Sequence, residues 1–227
     1  MMKKMNNIQD YIGCDETGVG DFYGPIVFVA AYIPVKNIQK IIDLGVKDSK
    51  KITDKKIMEI APKLMELSIY RKSALSQQGN NKLAKFLNTN EVKLLYHFKN
   101  INAMEKEINK DSFIDQFSTL LSIEKYKTKL LKTSLDFKIP ENNVLYETKA
   151  EDKILSVAVA SIIARYLFLQ AMSIQNEKYK VIFPLGASNK NIAFGKEFVK
   201  IYGKDELYNV AKANFKTIDE IIGSESK

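Results

Sequence analysis

Two adjacent acids at the end of an apolar run are the residues of this chain best placed to do chemistry. Asp15 and Glu16 directly follow residues 11–14, Tyr-Ile-Gly-Cys. A carboxylate at the inner end of a buried strand loses its solvation unless a cation or a donor meets it, and two neighbouring carboxylates repel each other. A metal ion is the simplest partner for both, so the pair predicts a divalent cation site.

Two further acids stand at comparable places. Asp115 lies inside the apolar segment FIDQF, and Glu151 lies between the apolar segment VLYET and a long apolar helix. Acids at strand ends and strand-to-helix junctions converge on one edge of a sheet, where the sites of α/β proteins form. Ligands that offer only oxygen suit Mg²⁺ or Mn²⁺, and four carboxylates would hold two such ions. Composition alone favours the alternative that Asp115 and Glu151 are helix caps or members of buried ion pairs.

A glycine-rich turn follows the first two acids. Glycines at positions 18, 20 and 24 precede Pro25 and a second apolar run at residues 26–33. This pattern is typical of a strand, a tight turn and another strand. The glycines allow a backbone to approach closely, with free N–H groups directed at whatever binds there.

Lysines and hydroxyls near predicted strand ends form a second group of candidates. They are Lys47, Ser49 and Lys50 in one loop and Thr148 and Lys149 in another. Both residue types donate hydrogen bonds to phosphate oxygens, although an exposed polar loop has the same composition. A weaker candidate is the helix start from Asn88 to Lys93. The lone histidine one turn later, His97, is expected on the helix surface or in the core.

The remaining pattern predicts the elements that position these residues. Helices are expected at about 38–44, 54–67, 89–107, 118–133, 154–172, 188–202 and 204–213, and strands at 11–14, 26–33, 68–76, 112–117 and 144–148. Residues 79–81, Gly-Asn-Asn, are expected to interrupt regular structure. The order predicts a mixed α/β single domain that opens on an antiparallel hairpin and spans residues 1–227, with a C-terminal helical region at about 176–222 and a disordered tail from about 223.

The bulk composition limits the class of protein. The chain has 227 residues, 45% of them apolar, which suffices for one sizeable α/β core. The sequence shows no secretory signal, and no apolar segment long enough to span a bilayer is expected. The single cysteine, Cys14, excludes an internal disulfide. We expect a cytoplasmic monomer. The formal charge of +8 favours a polyanionic partner, although a general lysine bias would produce the same value.

Six groups of motifs occur together in one order. They are DETGVGDFYGP, LGVKDSKKITD, FIDQF, ETKAE followed by VAVASIIAR, FPLGA, and KANFKT. In this order and spacing the chain resembles the type 2 ribonucleases H, ribonuclease HIII in particular, from about residue 11 to residue 217.

The resemblance implies a ribonuclease H-like fold and metal-dependent endonucleolytic cleavage of the RNA strand in RNA/DNA hybrids, leaving 5′-phosphate and 3′-hydroxyl ends. It implies that Asp15, Glu16, Asp115 and Glu151 are the catalytic residues and hold two Mg²⁺ or Mn²⁺ ions. The substrate-binding residues that it implies are Gly18, Val19, Gly20, Lys47, Ser49, Lys50, Asn88, Lys93, Lys149, Ser161 and Arg165.

Three departures from the family pattern stand out. Val19 replaces the usual basic residue between the turn glycines, and Asn214 replaces an expected histidine in KANFKT. About ten residues precede the first predicted strand, so the N-terminal substrate-binding domain of ribonuclease HIII is expected to be missing.

Three alternative functions are open at this point. One is ribonuclease HII-type incision at single ribonucleotides embedded in duplex DNA, although FPLGA lacks the tyrosine by which ribonuclease HII recognises the junction. Another is a non-catalytic module that binds hybrids, which the presence of all four acids argues against. A sugar-kinase or actin-like ATPase needs two such domains, and this chain is too short for them.

Overall fold

A computed structural model describes residues 10–46 and 52–223. In these residues the strands are β1 (Ile12–Thr17), β2 (Ile26–Tyr32), β3 (Ile69–Leu75), β4 (Ser112–Asp115) and β5 (Val144–Glu147). The helices are α1 (Ile38–Asp43), α2 (Asp54–Leu67), α3 (Gln77–Leu83), α4 (Thr89–Glu105), α5 (Leu120–Leu130), α6 (Ala150–Lys153), α7 (Leu155–Tyr179), α8 (Asn189–Tyr202), α9 (Lys204–Val210) and α10 (Thr217–Ile222).

The chain divides into two compact units. The described part of the first comprises residues 10–16, 28–46, 52–73 and 90–166, and that of the second comprises residues 17–27, 74–89 and 167–223. The prediction of one ribonuclease H-like domain over residues 1–227 stays a prediction, and the predicted tail beyond Gly223 lies outside the described residues.

The first unit is built on the five-stranded sheet, whose order is β3-β2-β1-β4-β5. Strand β1 pairs in parallel with β4, from Ile12 opposite Ser112 to Cys14 opposite Ile114, and β4 pairs in parallel with β5. Strand β2 is an almost unbroken run of buried apolar residues, as expected for a strand covered on both faces. The parallel register places the carboxyl ends of β1 and β4 side by side.

Helix α7 begins directly against β1. A Cβ atom on Gly13 would lie 2.2 Å from the carbonyl carbon of Ser156 and from the nitrogen of Val157. Only a residue without a side chain allows the strand and the helix backbone to come this close. The contact fixes the height of the first turns of α7 relative to the end of β1.

Most of the predicted elements are present, and the differences have identifiable causes. Residues 79–81 do not break regular structure but lie in α3, where Ser76 caps the helix by accepting a hydrogen bond from Gly79 N at 3.1 Å. Helix α7 continues to Tyr179 instead of ending near residue 172, because no proline or glycine interrupts it. The short helices α6 and α10 were not predicted, since each covers too few residues for a periodic pattern.

In the second unit, α3 is bound to the segment that follows α9. Asn80 Nδ2 donates to Asn214 Oδ1 at 2.9 Å, and the Asn81 side chain donates to Ala211 O at 3.0 Å and accepts from Ala213 N at 2.7 Å. Asn214, which departs from the family pattern, is therefore a hydrogen-bond acceptor for a buried asparagine.

The glycine turn of the second unit is held by a buried lysine. Lys212 Nζ donates to Asp21 O at 2.5 Å, and Lys212 N donates to Phe22 O at 2.9 Å. The Asp21 carboxylate accepts from Gly186 N at 2.6 Å. Burial lowers the pKa of the Lys212 ammonium to about 7, although the charge of Asp21 acts in the other direction.

Helix α7 also meets a length-and-hydropathy criterion for a membrane-crossing segment, contrary to the expectation from the sequence. Half of its most apolar window is buried within the protein. Because the core helix of a soluble protein meets the same criterion, the helix by itself is weak evidence for a membrane.

Candidate functional site

Asp15 and Asp115 occupy equivalent places on neighbouring parallel strands. Each lies one residue beyond the last registered pair of the two strands, Cys14 and Ile114. Both side chains are partly buried. The sheet itself thus brings together two acids that are 100 residues apart in the chain, as the sequence pattern predicts.

Glu151 lies near Asp115, because α6 begins at the junction that follows β5. Asp115 Oδ1 accepts a hydrogen bond from Ala150 N at 2.8 Å, so Asp115 caps the short helix on which Glu151 lies. The carboxyl groups of Asp115 and Glu151 are within hydrogen-bonding distance of each other. Asp115 is therefore a cap, as the alternative interpretation proposed, and also a member of the acid cluster.

The cluster is electrostatically unfavourable for Asp15. Burial raises the pKa of Asp15 to about 8, and the charges of Glu16 and Asp115 add to this increase. Hydrogen bonds from Ser161 and from Glu16 N act in the opposite direction but are weaker. Burial also raises the pKa of Asp115, and the neighbouring Glu151 and Glu16 add to that increase. Burial and the neighbouring carboxylates both disfavour the ionised forms of Asp15 and Asp115.

Glu16 has a different environment, because both of its carboxylate oxygens contact α4. Oε1 lies 2.6 Å from Lys93 Nζ, and Oε2 lies 2.7 Å from His97 Nε2. Burial acts to raise the pKa of Glu16, but the hydrogen bond and charge of His97 and the charge of Lys93 outweigh it and lower this pKa to about 2. Glu16 is thus ionised throughout the neutral range.

The donor chemistry of the cluster fits a divalent cation. Asp15, Glu16, Asp115 and Glu151 offer only oxygen, and a bound cation would offset the burial and mutual repulsion that raise the pKa values of Asp15 and Asp115. Over residues 10–46 and 52–223, however, no three His, Cys, Asp or Glu side chains converge as ligands of one point. We attribute this to Glu16, whose oxygens are directed at Lys93 and His97.

The raised pKa of Asp15 predicts how the metal-free protein responds to pH. The folded state keeps the Asp15 proton up to a pKa of about 8, whereas the unfolded chain loses it near the ordinary aspartate pKa of 3.8, so stability is lost as the pH rises between these values. The free energy of unfolding in EDTA should fall by up to about 1.4 kcal/mol per pH unit between about pH 5 and about pH 7. Urea unfolding at several pH values measures this slope, which should become shallower in Asp15→Asn.

Between about pH 5 and about pH 7 the titrations of Lys212 and Glu16 contribute little, but the pKa of Asp115 is also raised, so Asp115 adds a loss of stability of the same sign. The pKa of Lys212 is lowered to about 7, so its loss of a proton increases stability as the pH rises above that value. This increase would oppose the loss of stability caused by Asp15. Glu16, whose pKa is lowered to about 2, changes stability only in the acid range. A slope that is the same in wild type and Asp15→Asn would contradict the assignment to Asp15.

Three further residues that were predicted to bind the substrate lie in different surroundings. Ser161 on α7 donates a hydrogen bond to the Asp15 carboxyl group. Arg165 forms a two-pronged ion pair with Asp54, with Nε at 2.9 Å and a terminal nitrogen at 2.8 Å from the two oxygens. Lys149 is exposed, and its backbone adopts a left-handed conformation (φ 54°) immediately before α6. The phosphate contacts predicted for these residues stay predictions.

The predicted glycine turn lies in the described residues, whereas the candidates of the first lysine loop do not. Gly18 adopts φ 100°, and a Cβ there would lie 2.2 Å from Pro25 O, so position 18 requires glycine. Val19 is partly buried, Gly20 is exposed, and exposed Asn88 directly precedes α4. Lys47, Ser49 and Lys50 lie outside the described residues.

Sequence reasoning missed the part that His97 plays. His97 is fully buried, which is one of the two environments expected from the sequence. It also binds Glu16 through Nε2. The spacing of Lys93 and His97, four residues apart on one helix, places both on the same face and could have drawn attention to the pair.

Comparisons with known proteins agree with this geometry. The profile of the family described as Ribonuclease HII matches residues 12–218. Ribonuclease HIII of Lactococcus lactis subsp. cremoris (strain SK11) is 33% identical over 217 residues, covering 94% of this chain and 71% of that protein. Ribonuclease HIII of Phytoplasma mali (strain AT) is 36% identical over 215 residues, covering 91% and 70%.

Solved structures give the same result. The crystal structure of Bst-RNase HIII in complex with Mn²⁺ superimposes with a TM-score of 0.88 at 30% identity, covering 98% of this chain and 72% of that one. Ribonuclease H2 from Pyrococcus horikoshii OT3 superimposes with a TM-score of 0.76 at 24% identity and supports the fold alone. The ribonuclease H-like fold class predicted from the sequence is confirmed.

Proposed function

Because this chain belongs to the ribonuclease HII family, we propose that it cleaves the RNA strand of RNA/DNA hybrids at the acid cluster of the first unit. The chain is a ribonuclease H, a hydrolase of phosphodiester bonds that depends on divalent metal ions. The observation that carries the proposal is that Asp15, Glu16, Asp115 and Glu151 lie close enough for their charges to act on their neighbours, inside the matched region.

The four acids would hold two divalent ions, Mg²⁺ or Mn²⁺. Such ions supply an attacking water of lowered pKa and stabilise the charge that develops on the leaving 3′ oxygen. The residues of the chain keep the carboxylates in place: Ser161 orients Asp15, and the Ala150 N–H fixes Asp115. Cleavage in this manner would leave 5′-phosphate and 3′-hydroxyl ends.

Recognition of the RNA strand would fall to the glycine turn. Backbone N–H groups at Gly18, Val19 and Gly20 would donate to ribose 2′-hydroxyls, the group that distinguishes RNA from DNA. This role needs no side chain at position 19, so Val19 is compatible with it. The positive φ of Gly18 and the binding of Asp21 and Phe22 by Lys212 support a turn of fixed shape.

Phosphate contacts would come from Lys47, Ser49, Lys50, Asn88, Lys149 and Arg165. Because Arg165 pairs with Asp54 at two atoms, it would need either to release Asp54 or to offer its remaining N–H groups to the substrate. The formal charge of +8 supports attraction of a polyanion in general. We also propose that the protein acts as a monomer and is cytoplasmic.

The decisive test compares two substrates of the same sequence. One is an RNA/DNA hybrid, and the other is a DNA duplex with a single embedded ribonucleotide. We expect metal-dependent cleavage of the hybrid at several positions and at least about tenfold slower incision of the embedded ribonucleotide, since the turn would contact several consecutive 2′-hydroxyls.

Each outcome is informative. Preferential incision beside the single ribonucleotide would favour ribonuclease HII-type activity over the ribonuclease HIII-type activity proposed here. Binding of the hybrid without cleavage under either metal would favour a non-catalytic module. End analysis of the products, by ligation of the 5′ ends, tests the predicted 5′-phosphates.

A further inference from the structure

The contacts of Glu16 raise a question about how a metal ion gains access to it. Lys93 Nζ lies 2.6 Å from one carboxylate oxygen, and His97 Nε2 lies 2.7 Å from the other. The side chains of Glu16, Lys93 and His97 are 12%, 14% and 0% exposed, so water screens these contacts poorly. A cation that binds Glu16 must therefore displace at least one partner or share an oxygen with it.

The two partners differ in their freedom to move. The His97 ring packs edge-on against Phe28 and parallel to Phe117, and its Nδ1 is buried with no hydrogen-bond partner in the described structure. Packing on both sides fixes this ring. Lys93 has a flexible four-carbon stem, and its Nζ lies 4.6 Å from the Phe117 ring centroid, a cation–π contact that does not depend on Glu16.

The charge of Lys93 also bears on metal binding. The Lys93 ammonium is a point charge on the same carboxylate that a divalent ion would use, and like charges at that distance repel each other strongly in a poorly screened site. Lys93 is itself part of the first unit, as are all four acids. The ion pair therefore competes directly with metal binding at Glu16.

We propose that Lys93 is an internal competitor for the metal site: it occupies Glu16 in the metal-free enzyme and must leave Glu16 when a divalent cation binds. The inference rests on the proposed function, because it takes Glu16 as a metal ligand. It assigns Lys93 a role in setting metal affinity, in place of the direct substrate contact that the sequence suggested. The cation–π contact with Phe117 is available to the displaced ammonium without Glu16.

The test is the affinity of the metal-free protein for Mn²⁺, measured by calorimetric titration without any nucleic acid. In Lys93→Met, which keeps the length of the stem but removes the charge, the Kd for Mn²⁺ should fall about tenfold. Lys93→Arg, which keeps the charge, should stay close to wild type. Lys99→Met is the matched control, because Lys99 lies on the same helix over the Tyr96 ring at 5.8 Å and should leave the Kd unchanged.

Unfolding of each variant in EDTA shows whether the fold is intact, and only folded variants are titrated. An unchanged or higher Kd in folded Lys93→Met, with normal binding in wild type, would overturn this inference and leave the proposed function standing. Failure of wild type to bind Mn²⁺ or Mg²⁺ at all would instead count against the proposed function. A tenfold gain that also occurs in Lys99→Met would show a general charge effect and would likewise overturn the inference.

Discussion

Asp15→Asn should reduce the rate of hybrid cleavage by about a thousandfold or more while leaving the protein folded. The substitution keeps the shape of the side chain but removes a charge that would hold a metal ion, and several kcal/mol of charge stabilisation in the transition state go with it. In EDTA at neutral pH the same variant should be more stable than wild type by roughly 3–4 kcal/mol. The gain is expected because Asp15, whose pKa is raised to about 8, must take up a proton when the chain folds at this pH, whereas asparagine needs none.

Opposite changes in activity and stability identify a functional carboxylate better than loss of activity alone. Asp136→Asn is the matched control, since Asp136 is 87% exposed and its ion-pair distance to Lys138 is 3.6 Å. That variant should match wild type in cleavage and in urea unfolding. Cleavage by Asp15→Asn at a rate close to wild type would remove Asp15 from the site.

Gly13→Ala should prevent stable folding or lower the free energy of unfolding by more than about 4 kcal/mol. The added methyl group would lie 2.2 Å from two backbone atoms of α7, and neither can move without shifting the helix or the strand. A shift of α7 would also carry Ser161 away from Asp15. Circular dichroism and urea unfolding measure the loss directly.

Gly20→Ala is the matched control for stability. Among residues 10–46 and 52–223, no atom lies within 4 Å of a Cβ built on Gly20, so this variant should unfold within about 0.5 kcal/mol of wild type. If Gly13→Ala were as stable as Gly20→Ala, the close approach of β1 and α7 would not exist as described.

The sequence was sufficient to predict the strands and long helices because each has a repeating apolar pattern. Strand β2 and helices α2 and α4 agree with their predicted bounds to within about two residues. Asp15 and Asp115 were recognisable because each directly follows or interrupts an apolar run. The family resemblance then favoured Asp115 and Glu151 as metal ligands, which residue patterns alone left open as caps or ion-pair partners.

Contacts between distant residues could not be predicted in this way. The pairing of Glu16 with Lys93 and His97 depends on how α4 lies against β1, and no local pattern specifies that packing. The helix α3 was missed because glycine and asparagine are poor helix formers, and hydrogen bonds from Asn80 and Asn81 to residues 211–214 compensate for the low propensity. Tertiary contacts decided the structure in both cases.

The left-handed backbone at Lys149 limits which residues natural variants can carry there. Its φ of 54° lets α6 begin with only two residues between it and β5, with the Ala150 N–H directed at Asp115. This conformation costs most residues roughly 1 kcal/mol and costs β-branched residues more, whereas glycine or asparagine adopts it easily. Sequence drift at position 149 should therefore favour glycine and asparagine over valine, isoleucine and threonine, whatever the lysine contributes to the substrate.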